Sequence, residues 1–169
     1  MMYQRGGKLS WENMKVVFLT AVVLLALGIV FRMIFFSFIA WVLIIVFLFW
    51  FSKEYRDYRP LILFFCGCVL SVIVILFFIR HAMYDYEGAM MVFPLYDALA
   101  TLFSLLYLVP IAETIGKRGN EIEMYAIIEG LIICSFAPLL KFVSVILSLV
   151  FVLFGLFFIG KAILDARMC

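Results

Sequence analysis

The sequence predicts an all-α integral membrane protein, a compact bundle of about six transmembrane helices. Three observations lead there. Apolar residues make up 69% of the chain and charged residues only 14%. The apolar residues come in long blocks rather than at amphipathic spacing, and the charges gather in short segments between the blocks. A soluble domain averages roughly 45–50% apolar and about 25% charged, so a chain this short has too little interior to hide the excess from water.

The elements follow from the length of each block. Residues 16–51 are nearly unbroken, with a charge only at Arg32. As one helix rising about 1.5 Å per residue they would run to about 54 Å, against a bilayer core of about 30 Å. The chain must fold back near Arg32, giving helices near 14–31 and 34–51. Arg5, Lys8 and Lys15 ahead of this run resemble a signal-peptide n-region, but the apolar run continues and no small-residue cleavage site follows, so the first segment is expected to stay as an anchor. Two further spans fit near 60–79 and 91–112. The last apolar stretch is broken only by Glu129, Pro138 and Lys141 and divides into helices near 124–139 and 142–163. Residues 1–169 then form a single polytopic domain with no linker or low-complexity tract, and 80–94 is its one real loop on the outer side.

Lysine and arginine favour the cytoplasmic side. Six spans put Arg5, Lys8, Lys15, Lys53, Arg56, Arg59, Lys117, Arg118, Lys161 and Arg167 on one face, leaving only Arg32, Arg80 and Lys141 on the other. The reading is three outward-pointing hairpins with both termini cytoplasmic, in a membrane of the bacterial inner (plasma) type. Trp11, Trp50, Tyr55, Tyr58 and Tyr125 fall near the inner boundary and Tyr84, Tyr86 and Tyr96 near the outer one. Trp41 falls mid-helix, where packing suits it better.

Two carboxylates lie well inside spans, Asp97 and Glu129. An ionisable group at membrane depth costs roughly 2.5–3.5 kcal/mol on insertion scales, so each needs a partner, water or a proton. Their levels differ by about 15 Å along the membrane normal, which excludes a carboxylate dyad. Asp97 is expected to pair near the outer surface with Arg32, Arg80 or His81, with Asp85 and Glu87 competing for the same cations; the sharper reading is an outer polar site for a cation or polar ligand. Glu129 is expected to face protein, hydrogen-bonded to Tyr107, Ser104, Ser135 or a backbone carbonyl, because Gly130 beside it admits a neighbouring helix. Its functional readings are a proton or cation relay and a docking group for a basic residue on a partner helix.

Other features carry less chemistry. His81, Asp85 and Glu87 are ligand types without a recognised metal spacing, so no metal site and no cofactor are expected. Cys66, Cys68, Cys134 and Cys169 read as packing thiols. Gly67-x-x-x-Ser71 and Ser144-x-x-x-Ser148 are small-residue patterns that let helices touch. No catalytic set is present, a cluster of His81, Asp85, Glu87 and Asp97 being the only conceivable one, and the divided basic residues exclude nucleic acid as a partner. The expected function is a non-enzymatic subunit or modulator that binds another membrane protein, or a homo-oligomer, through helix contacts within the bilayer. The alternative is a transporter or substrate-binding component with an outer site around Asp97 and the 80–94 segment. A cavity among the helices reaching Asp97 favours the second reading, and an exposed polar notch at Glu129 favours the first.

Overall fold

The computed structural model describes the backbone of residues 4–167 and the side chains of residues 11–167. Cys169 and the first three residues lie outside the described part, as do the side chains of Arg5 and Lys8. Among the described residues the chain is all-helical, with α1 (Gln4–Phe31), α2 (Ile34–Tyr55), α3 (Arg59–Tyr84), α4 (Tyr86–Leu105), α5 (Leu108–Gly116), α6 (Glu121–Phe136), a 3-10 segment (Ala137–Phe142) and α7 (Val145–Asp165). Six stretches are long and apolar enough to cross a bilayer: Trp11–Phe31, α2, α3, α4, α6 continued through the 3-10 segment, and α7. The lipid-soluble class read from composition stands.

The helix ends follow local chemistry. At the α1–α2 turn Arg32 takes the left-handed conformation with φ 53°, and the Met33 N–H reaches back to the Gly28 carbonyl at 3.0 Å, which closes the end of α1. Arg56 does the same after α2 with φ 52°. Proline ends two helices early. Pro110 cannot supply an N–H to residue 106, and its ring crowds that carbonyl, so the expected span 91–112 stops at Leu105 and restarts as the short α5. Pro138 likewise ends α6 at Phe136, short of the expected residue 139, and opens the 3-10 segment; α7 then starts at Val145 rather than at 142.

The expected outer loop 80–94 is a correction. Residues 80–84 are the last turn of α3, residues 86–94 are the first turns of α4, and Asp85 alone joins them. Nothing from Arg80 to Tyr84 breaks a helix. Asp85 takes an extended conformation and its Oδ1 accepts from the Gly88 N–H at 3.0 Å, capping α4, while Glu87 complements the dipole in the first turn.

Packing is most extensive within the successive pairs α1–α2, α3–α4 and α6–α7. Two of these contacts have no room for a side chain. A Cβ on Gly67 would lie 2.0 Å from the Phe103 carbonyl oxygen, and the Ser71 hydroxyl donates to the Ala100 carbonyl at 2.9 Å, so the Gly67/Ser71 pattern is where α3 lies on α4. Gly130 and Gly155 face each other's carbonyls, each built Cβ falling 2.8 Å from the other residue's oxygen, so α6 and α7 touch backbone to backbone. The second small-residue pattern divides its roles: Ser144 caps α7, accepting from the Leu147 N–H, while Ser148 is buried.

The dense core is concentrated at the end of the bundle where both chain ends lie. Trp11, Met14 and Phe18 of α1 pack with Phe47, Leu48 and Phe51 of α2, Ile111 and Ile115 of α5, and Ile159 and Ile163 of α7. Trp11 is buried, its Nε1 donating to the Ala166 carbonyl at 2.9 Å. Lys15 is buried beside it, paired with Glu12 at 3.0 Å. At the same end Arg59 bridges Asp57 and Glu113, tying the α2–α3 turn to α5. α3 fully buries only Pro60, Phe64 and Gly67; Leu61, Cys68 and Phe78 are half-buried against neighbouring helices, and most of its other apolar side chains are exposed.

Candidate functional site

Toward the opposite end the packing loosens around a cavity. A cavity of about 550 Å³ opens among α1, α2, α4, the segment from Cys134 to Lys141, and α7. Its size lies within the roughly 300–1,000 Å³ usual for small-molecule sites. One wall is polar. Asp97, Thr101 and Ser104 recur at helical spacing along α4 and all line the space, with Tyr107 below them at the α4–α5 break. The Ser104 hydroxyl donates to the Thr101 carbonyl at 2.9 Å. The facing walls are apolar: Leu25 and Ile29 of α1, Trp41 and Ile44 of α2, and Leu149, Val152 and Leu156 of α7.

Three charged residues, Arg32, Asp97 and Lys141, line the cavity, and two of them are paired. The Lys141 ammonium donates to Asp97 Oδ2, bridging the 3-10 segment and α4, and it also sits 5.2 Å from the centre of the Phe93 ring. Both side chains are close to one-third exposed. Asp97 therefore has a basic partner, but not one of those expected. Arg32 lines the same cavity, whereas Arg80 is exposed near the end of α3. His81 faces α4 instead, its Nδ1 lying 3.3 Å from the Tyr96 hydroxyl. Asp85 and Glu87 are exposed and serve the α4 cap and first turn. Asp97, Lys141 and Arg32 thus share the cavity lining, and His81, Asp85, Glu87 and Arg80 lie outside it.

Lys141, which the six-span reading puts on the outer face, is not among the partners expected for Asp97. The available signal was its position three residues after Pro138: a proline that ends α6 in a tight 3-10 turn brings the following lysine over α4. Among the described residues no group of three or more His, Cys, Asp or Glu side chains could hold a metal ion.

Glu129 corrects a second expectation. It lies on the exposed stripe of α6 with Ile122, Tyr125, Ile132 and Phe136, while Ile127, Gly130, Leu131 and Cys134 are buried on the other side. None of the proposed hydrogen-bond partners holds it. Ser135 instead bonds its own helix at the Leu131 carbonyl, and Tyr107 and Ser104 belong to the cavity. The buried Gly130 does admit α7, but the residue before it then points about 100° away.

No family model matches the sequence, and no curated protein or solved structure matches it either.

Proposed function

We propose that this chain is a membrane-embedded binding protein, a transporter or the substrate-binding component of one, which holds a small amphipathic molecule within the bundle. The observation that carries the reading is the cavity bounded by one polar and several apolar walls, with the Asp97–Lys141 pair in its lining. Dense packing at one end and open volume at the other suit a site entered from a single side. The distribution of lysine and arginine supports cytoplasmic termini, so the entry would face outward from a plasma membrane of bacterial type. The walls carry hydroxyls and one ion pair rather than a nucleophile with a base, which supports binding over catalysis.

Native mass spectrometry of the protein released from nanodiscs of its own membrane tests this. One small molecule per chain should remain bound, and Thr101→Phe, which fills the space, should abolish it while the thermal midpoint is retained. Equal retention by the filled variant would overturn the reading.

A second reading, association with another copy of this chain, is favoured by Glu129. A carboxylate on an outward stripe at membrane depth needs a cover, and Lys161 is exposed on the adjacent α7. Because Gly130 packs at the level of Gly155 and Ile159, Glu129 and Lys161 lie within about one helical turn of the same depth. A two-fold axis along the membrane normal would let each glutamate meet the other copy's lysine. This contact leaves the cavity free, so the two readings are compatible.

A further inference from the structure

Resting on the cavity reading above, we infer that the bound molecule is an amphiphile with an anionic head, a carboxylate or a phosphate, and that Arg32 is the residue that receives the head. Lys141 is already neutralised by Asp97, whereas no hydrogen bond or ion pair holds the Arg32 guanidinium among the described residues. Arg32, Lys141 and Asp97 together give the lining one net positive charge. Two of the three basic residues that the six-span reading places on the outer side therefore converge on one cavity, against the tendency of that side to lack them. A cationic head would meet an excess of positive charge, whereas an anionic head would give the exposed Arg32 side chain in the cavity lining an ion-pair partner.

Arg32 occupies a left-handed position, φ 53°, that closes α1 as Arg56 at φ 52° closes α2, so glycine is well tolerated there. Guanidinium is also the side chain that grips carboxylate and phosphate through paired N–H donors. Below it the hydroxyls of Thr101 and Ser104 continue along one wall, and Leu25, Ile29, Leu149 and Val152 offer an apolar bed for a tail.

Trp41 lines the cavity and serves as the reporter. Brominated laurate, lauryl phosphate, laurylamine and lauryl alcohol are titrated against the protein in phosphatidylcholine nanodiscs while tryptophan fluorescence is read. Saturable quenching by laurate or lauryl phosphate is expected, with the stronger of the two identifying the head, and Trp41→Phe should remove it. Arg32→Gly suits the left-handed backbone and should preserve the thermal midpoint, yet weaken binding roughly tenfold or more through loss of a charge-assisted hydrogen bond. Arg32→Lys should restore most of the affinity. Equal quenching by the alcohol or the amine, or indifference to Arg32→Gly, would overturn the anionic head and leave the cavity reading standing. Absence of saturable quenching by all four probes would overturn both.

Discussion

The indole N–H of Trp11 donates to the carbonyl of Ala166 across 155 positions of sequence, fastening α1 to the residue that follows α7. The contact is buried, and the Trp11 ring meets Tyr55 edge-on at 6.1 Å, so one side chain ties three helices at the end of the bundle. Trp11→Phe keeps most of the ring but removes the donor, leaving a buried carbonyl unsatisfied at a cost of about 1–3 kcal/mol. A lowered thermal midpoint in mild detergent, with unchanged helical circular dichroism, is the expected result. An unchanged midpoint would mean that water enters this end and replaces the bond.

The Asp97–Lys141 pair should behave as a unit. Asp97→Ala strands a lysine at membrane depth and Lys141→Ala strands a carboxylate, whereas removing both leaves neither charge uncompensated. The double variant should therefore be less destabilised than the sum of the single ones, by about 0.6–1.7 kcal/mol if the pair couples as strongly as measured polar contacts in membranes do. Unfolding by added sodium dodecyl sulfate measures all three. Strict additivity would show that water separates the two groups.

Acid should loosen the opposite end first. Asp57 accepts from Arg59 Nε and Nη2 at 3.0 and 2.9 Å and from the Thr114 hydroxyl at 3.3 Å. The hydrogen bonds from Arg59 hold its carboxyl below its ordinary value of 3.8, and Lys117, with Arg59, holds Glu113 below its ordinary 4.5. Both groups are depressed in the folded state, so their contribution is complete above those ordinary values and is lost as pH falls below them toward the folded pKa. The thermal midpoint should fall over that acid range, less steeply in Asp57→Asn and less steeply in high salt, which screens exposed charges. Identical acid profiles for the two proteins would remove Asp57 from the account.

The α3–α4 contact gives the sharpest steric test. A Cβ on Gly67 meets a backbone oxygen at 2.0 Å, so no rotamer change relieves it and α3 must move. Gly67→Ala should cost about 1–3 kcal/mol, as overpacking does, while Ser71→Ala, which loses one interhelical hydrogen bond, should cost about 0.6 kcal/mol. Refolding yields from sodium dodecyl sulfate order the two variants. The reverse order would mean that the hydroxyl, not the close approach, holds α3.

The spans were legible because lipid as solvent writes itself into block length, and the folding back at Arg32 followed from a run too long for one crossing. The helix ends were harder: Pro110 and Pro138 were visible, yet each stopped its helix short of the expected boundary. The 80–94 segment was misjudged because its polar residues suggested a loop, whereas Asp85 followed by Glu87 and Gly88 is a helix start. Asp97 stood out by depth alone. Its partner did not, because Lys141 reaches it only through the 3-10 turn, and hollow volume leaves no mark in a list of apolar residues.

Glu129 is the residue where sequence and structure part most clearly, and its substitution separates two accounts. A glutamate facing the bundle interior would make Glu129→Leu destabilising, since a hydrogen bond would be lost inside the packed helices. The exposed stripe of Ile122, Tyr125, Glu129, Ile132 and Phe136 leads to the opposite expectation. In dilute detergent micelles Glu129→Leu should unfold at or slightly above the native midpoint, because an apolar side chain replaces a carboxylate beside the micelle core. The α6–α7 contact at Gly130 and Gly155 is untouched by the change. If the stripe meets a second copy through Lys161, the same variant should lower the dimer fraction seen by single-molecule subunit counting in bilayers. Glu129→Lys alone should lower it further through like charges, and Glu129→Lys combined with Lys161→Glu should restore it. A restored dimer in the double exchange identifies the pair directly. Failure of restoration, with every variant well folded, would leave lipid as the neighbour of Glu129 and sink the second-copy contact.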